Sequence, residues 1–197
     1  MRNTAKIIVL FTFFCFQVQA QSSSNLNRIY GLIDESVDKI SAKLENTEEY
    51  KIEFELPSEY SIFKNIVLNK FREKSEASFV EIDSAGRLNY SIAEAGTNYN
   101  KTFRKGFLGS YYIERKVFLS GSYSIAREGK ITEAGEFNYS GTDTVKKSDI
   151  NQLESSALPF TKSEKPAEPF FSSLLEPVVA IGTAAVTIFL FFSVRSK

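Results

Sequence analysis

The chain closes on eighteen residues, Pro177–Val194, that carry no charge and are mostly apolar. As a helix such a run rises about 27 Å, against a bilayer core of roughly 30 Å. No polar stripe interrupts it, as one would in a helix laid on a core. The run therefore reads as a transmembrane helix, with Pro177 in its first turn, where the missing N–H would be unpaired anyway. Glu176 precedes the run, and Arg195 and Lys197 follow it. The positive-inside rule places that basic tail, 195–197, in the cytoplasm.

The amino end agrees. Arg2 and Lys6 precede a ten-residue, largely apolar run, Ile7–Phe16, and Val18-Gln19-Ala20 offers the small side chains of a cleavage site. Residues 1–20 thus read as a signal peptide, too short in its apolar part to span. Both ends together predict a single-pass protein of the cell membrane, with its folded part, 21–154, on the periplasmic side. A Pro/Ser-rich tether, 155–176, would join domain to span, with Pro159, Pro166 and Pro169 keeping it extended.

Composition narrows the chemistry. The chain has no histidine, and its one cysteine, Cys15, lies within the signal peptide. Without either residue type the exported part cannot build a typical zinc or copper site, a histidine-based triad or a cysteine nucleophile. No cofactor is expected. Charge is balanced at 24 basic and 24 acidic residues, so nothing points to nucleic acid. The exported domain must also fold without disulfides.

Within that domain the periodicities alternate. Leu26, Tyr30, Ile33, Val37, Ile40 and Leu44 fall at steps of four and three, one face of an amphipathic helix. Tyr50, Ile52, Phe54 and Leu56 alternate with charges, as in a half-buried strand ended by Pro57. Ser58 would cap a second helix carrying Tyr60, Phe63, Ile66 or Val67, and Phe71. Short strands follow over 78–82 and around Leu88, Tyr90 and Ile92. Two more run over 116–126 and 131–145, joined by the turn Arg127-Glu128-Gly129-Lys130 and bulged near Gly135. A short helix over 148–154 closes the domain. The expected fold is α+β: a two-layer sandwich of two amphipathic helices on a mixed, mostly antiparallel sheet, plus the transmembrane helix.

That order of elements, Tyr30 to Val145, resembles periplasmic domains of the curli-secretion pore family and the related flagellar outer-membrane and Tol amino-terminal domains. The resemblance is one of pattern and implies a role in envelope assembly.

Three local patterns bear on function. Tyr99–Lys116 reads as a loop in which Lys101, Arg104, Lys105, Arg115 and Lys116 interleave with Tyr99, Phe103, Phe107, Tyr111 and Tyr112. Cations beside aromatic rings hold an anionic polymer by charge and stacking. Lys101, Arg104, Lys105, Tyr111, Tyr112 and Arg115 are therefore the candidate contacts for an envelope protein or anionic glycan. Ser61-Ile62-Phe63-Lys64 has the Ser-x-x-Lys spacing that lets a lysine deprotonate a serine on one helical face, the alternative of a periplasmic hydrolase or transferase. Ser36 and Lys39 repeat that spacing, and no Lys-Thr-Gly or Ser-Asp-Asn accompanies it. Leu158-Pro159-Phe160-Thr161 resembles a sorting signal, the alternative of a surface protein whose tail is processed. The leading expectation is a non-enzymatic binding domain tethered to the lipid bilayer.

Overall fold

The computed structural model describes residues 22–45, 48–83, 85–106, 109–167 and 170–195. The signal peptide and the last two residues lie outside them. The described elements are α1 (Asn25–Ser41), β1 (Glu49–Glu55), α2 (Phe63–Lys74), β2 (Ser78–Phe79), β3 (Gly86–Arg104), β4 (Tyr111–Arg127), β5 (Lys130–Lys146), α3 (Ile150–Leu153) and α4 (Phe170–Arg195), with short 3-10 turns at Ser58–Tyr60, Lys147–Asp149 and Pro159–Thr161.

Helix α1 starts where Ser24 accepts the backbone N–H of Asn27 on its hydroxyl, which satisfies one of the unpaired donors of the first turn. Ile29, Ile33, Val37 and Ile40 line its buried face. In α2 the face is Phe63, Val67 and Phe71. Asp34 of α1 bonds Lys70 and Lys74 of α2, and Lys74 also meets Asp38, so charge fixes the pair of helices side by side. Their joint apolar face covers Leu88, Tyr90 and Ile92 of β3, Leu119, Tyr123 and Ile125 of β4, and Phe137 of β5. Where α1 crosses β3, the buried Tyr90 and Ser36 hydroxyls lie 2.7 Å apart and the Ser36 hydroxyl reaches the Ile33 carbonyl, so both hydroxyls are satisfied inside the core.

The sheet runs in the order β2-β1-β3-β4-β5. β1 is parallel to β2 and β3, while β3, β4 and β5 form an antiparallel meander. These three strands have 19, 17 and 17 residues, well beyond the usual length of about 5–6. Strands that long accumulate twist, and β3 bends further at register shifts between Ile92 and Glu94 and between Tyr99 and Lys101. The sheet therefore curls into a half-barrel. This corrects the expected two-layer sandwich. It also corrects the bulge expected near Gly135: the one irregularity between β4 and β5 lies at Ile125/Ala126. Their turn holds Glu128 (φ 46°) and Gly129 (φ 74°) in the left-handed region, the backbone of a two-residue hairpin whose twist matches the strands.

A second correction concerns the carboxyl end. Among the described residues no helix is long and apolar enough to cross a membrane. The side chains of α4 are described over 177–193, which would rise about 25 Å against a core of roughly 30 Å. Pro177 stands inside the helix rather than in its first turn. The expected transmembrane helix is thus not supported. α4 is nonetheless apolar around its circumference and unpacked, with Ile181 69% and Phe189 70% exposed.

The expected tether is a third correction over its first half. Residues 155–166 form a strap that lies on the domain. Phe160 sits 5.4 Å from the Tyr60 ring and 5.3 Å from the Phe63 ring. Thr161 is fully buried, its hydroxyl donating to the Leu158 carbonyl and accepting the Ser155 N–H. The Pro166 carbonyl accepts from Thr102 of β3. An aromatic side chain and a self-satisfied turn gave this stretch more to gain from docking than from solvation.

Candidate functional site

The candidate loop is mostly strand. β3 continues to Arg104 and β4 begins at Tyr111, so the basic and aromatic residues stand at the tip of a long hairpin in fixed register: Lys101 opposite Glu114, Phe103 opposite Tyr112, Arg104 opposite Tyr111. Alternation along the strands then sorts them to two faces.

On the face turned from the helices, the rings of Phe103 and Tyr112 stack with centroids 6.2 Å apart and planes 23° from parallel. Lys105 Nζ lies 5.8 Å from the Tyr112 centroid, close enough for cation–π attraction. Lys101 is exposed beside them, and in the same row Tyr112 faces Lys146 of β5. Glu114 accepts from Asn100 and is the one carboxylate in this row of residues. The result is a stacked aromatic pair flanked by three lysines.

The other face is built differently. Arg104 lies over the Tyr111 ring at 5.1 Å and donates from Nε to the Gly109 carbonyl at 2.8 Å, which closes the tip on itself. Arg115 is fully buried. Its Nε and Nη2 grip both oxygens of Asp143, and Nη1 donates to the Ser23 carbonyl at 2.7 Å and to Asn25 Oδ1 at 2.8 Å. The Asn25 amide donates in turn to the Tyr99 hydroxyl and the Thr161 carbonyl. Burial pushes the Tyr99 phenol up to about 12. Arg115 is thereby a structural centre, joining the start of the domain, β3, β4, β5 and the strap. It is removed from the candidate partner contacts. Charge interleaved with aromatics signalled the tip; nothing in that pattern separates a buried guanidinium from an exposed one.

Ser61 and Lys64 are not brought together as a hydrogen-bonded pair. Lys64 Nζ lies over the Phe54 ring, 5.8 Å from its centroid, and among the described residues no hydrogen bond joins it to the Ser61 hydroxyl. The sorting-signal residues Leu158–Thr161 are folded into the strap, with Thr161 fully buried, so a processing enzyme would meet them only after local opening.

One feature escaped the sequence reading. On the outer face of the sheet, Glu55, Asn89, Ser91, Ser122, Ser124 and Glu136 line an open trough of about 470 Å³, where Asn89 donates to Ser124. The signal was present in Ser120, Ser122 and Ser124, small polar residues at period two opposite an apolar face. Small polar groups and two carboxylates make up most of its lining, with Tyr123, Ala134 and Gly135 completing it.

No family model matches the chain, and no curated protein matches it. Among solved structures it is similar to a minor lipoprotein from Acinetobacter baumannii, at 14% identity and a TM-score of 0.35, over 70% of this chain and 94% of that one. It is similar also to the rare lipoprotein B from Shewanella oneidensis, at 13% identity and a TM-score of 0.31, over 74% of this chain and 96% of that one. At these values neither likeness carries an argument. Neither relative is named as a curli-secretion, flagellar or Tol protein.

Proposed function

We propose that the protein is a non-enzymatic binding module of the cell envelope, associated with membrane through its apolar carboxyl-terminal helix and holding an anionic glycan at the tip of the β3–β4 hairpin. The observation that carries this reading is the stacked pair Phe103–Tyr112 flanked by Lys101 and Lys105. Sugar rings lie flat on such a platform, and lysines beside it attract carboxylate or phosphate groups. The envelope setting draws on the signal-like amino end and on the exposed apolar surface of α4, which water solvates poorly. Crossing of the bilayer is no part of the reading.

The test is titration of the full chain in mild detergent with polygalacturonate, and with uncharged dextran and poly-glutamate as controls. Binding of polygalacturonate alone, weakened roughly tenfold or more by the triple change K101A/K105A/Y112A, supports the reading. Equal binding of poly-glutamate would shift it to an acidic protein partner, and no binding of any polyanion would end it. Membrane association is read separately, by flotation with liposomes of the full chain and of a chain ended at residue 167.

A further inference from the structure

The longest unpaired edge in the described sheet belongs to β5. Its seventeen residues pair with β4 on one side, and among the described residues no element hydrogen-bonds along the other. The opposite end of the sheet is closed off differently, by a two-residue β2. Exposed edges are commonly blunted by proline, bulges or inward-pointing charges. β5 has no proline, and its single irregularity lies at the turn. Its two inward carboxylates are already neutralised within the chain, Glu133 by Lys43 and Asp143 by Arg115 and Arg28.

We infer that β5 pairs antiparallel with β5 of a second copy, about a two-fold axis through Tyr139, to make one continuous ten-stranded sheet. With one long edge per molecule, a contact that continues the sheet must join like edge to like edge, which closes as a symmetric dimer instead of growing into a filament. Charge and packing disfavour the two registers next to it on the amino-terminal side. An axis through Asn138 would oppose Glu133 to Asp143 and Lys130 to Lys146, two like-charge pairs. An axis through Phe137 would bring Tyr139 against Gly135, whose open side the Tyr123 ring already fills, with its hydroxyl 2.9 Å from where a Cβ would stand. The axis through Tyr139 opposes no like charges. It sets Asn138 against Ser140, Glu136 against Thr142, and Phe137 against Gly141. Beside Gly141 lies only the end of the Arg28 side chain, which can move.

Sedimentation of the full chain in detergent, across protein concentration, tests this contact independently of any glycan. The expected result is a dimer, with N138K/S140K raising its dissociation constant by roughly tenfold, because each copy then opposes lysine to lysine twice. N138K/S140E, which opposes lysine to glutamate in this register, should hold the dimer within about threefold of the unaltered chain. Both sites are exposed on the outer face, so the fold is kept, and circular dichroism checks that it is. A monomer at all concentrations, a dimer indifferent to N138K/S140K, or a dimer broken equally by both pairs would each overturn the inference.

Discussion

Phe137 of β5 lies over Gly121 of β4: the two are paired in register, and Cζ of the ring stands 2.6 Å from where a Cβ on Gly121 would sit. The same relation recurs twice, with Phe118 over Gly96 and Tyr123 over Gly135. Each glycine leaves a gap in the sheet that a cross-strand ring fills. Aromatic side chains can thereby lie flat along either face of a strongly curled sheet.

Gly121→Ala should be the worst of the three glycine changes. Its Cβ would fall 2.0 Å from the Ser91 carbonyl oxygen, a backbone atom held in the sheet. A cost of about 3 kcal/mol or more is expected. Gly135→Ala meets only the Tyr123 ring and hydroxyl, 2.9–3.1 Å away, and should cost about 1 kcal/mol. Urea unfolding of both variants checks the ranking, and equal midpoints would contradict it.

Arg115→Ala should destabilise the domain by about 3 kcal/mol, because Asp143 and Asn25 lose their shared donor inside the fold. Arg115→Lys should recover little, since one ammonium cannot grip both carboxylate oxygens and also reach Ser23 and Asn25. Glycan binding per folded molecule should be unaffected by either, which separates Arg115 from the tip lysines.

Phe160→Ala should free the strap before it unfolds the domain. The ring contributes its contacts to Tyr60 and Phe63, and its loss costs up to about 3 kcal/mol locally. Limited proteolysis should then cut within 155–165 while the sheet stays intact. Resistance there equal to the unaltered chain would mean that the strap is held by Thr161 and Asn25 alone.

Stability should fall at both extremes of pH. The Lys74 ammonium, bonded to Asp34 and helped by Lys70, holds that carboxyl below its usual value. A group depressed on folding adds stability above its unfolded pKa, near 3.8, and loses it as pH drops through the lower folded value. The pair is part-exposed, so the effect is under about 1 kcal/mol, and Asp34→Asn should remove it. At the alkaline end Tyr99, raised to about 12 by burial, contributes stability that is complete below pH ~10 and lost as pH climbs toward ~12. Burial raises Tyr30, Tyr60 and Tyr90 as well, so phenolate absorbance should show several tyrosines titrating late, and Tyr99→Phe should remove one of them.

Much of the architecture was legible in the residues themselves. The faces of α1 and α2, the pairing order of the meander and the Glu128-Gly129 turn follow from periods of 3.6 and 2 and from turn chemistry, which are local properties of the chain. The apolar character of 177–193 and the exclusion of histidine or cysteine chemistry are likewise properties of composition. What local pattern could not decide was how far each strand runs and what lies on it. Residues 99–104 lack clean alternation because β3 is bulged between Tyr99 and Lys101, so they read as the start of a loop. Leu158–Thr161 read as tether because its partners, Asn25, Tyr60 and Phe63, are about a hundred residues away in sequence. Arg115 read as a surface cation because only the fold brings Asp143, Asn25 and the Ser23 carbonyl around it. Burial of a charge depends on partners that converge in space, and no one-dimensional spacing records that convergence.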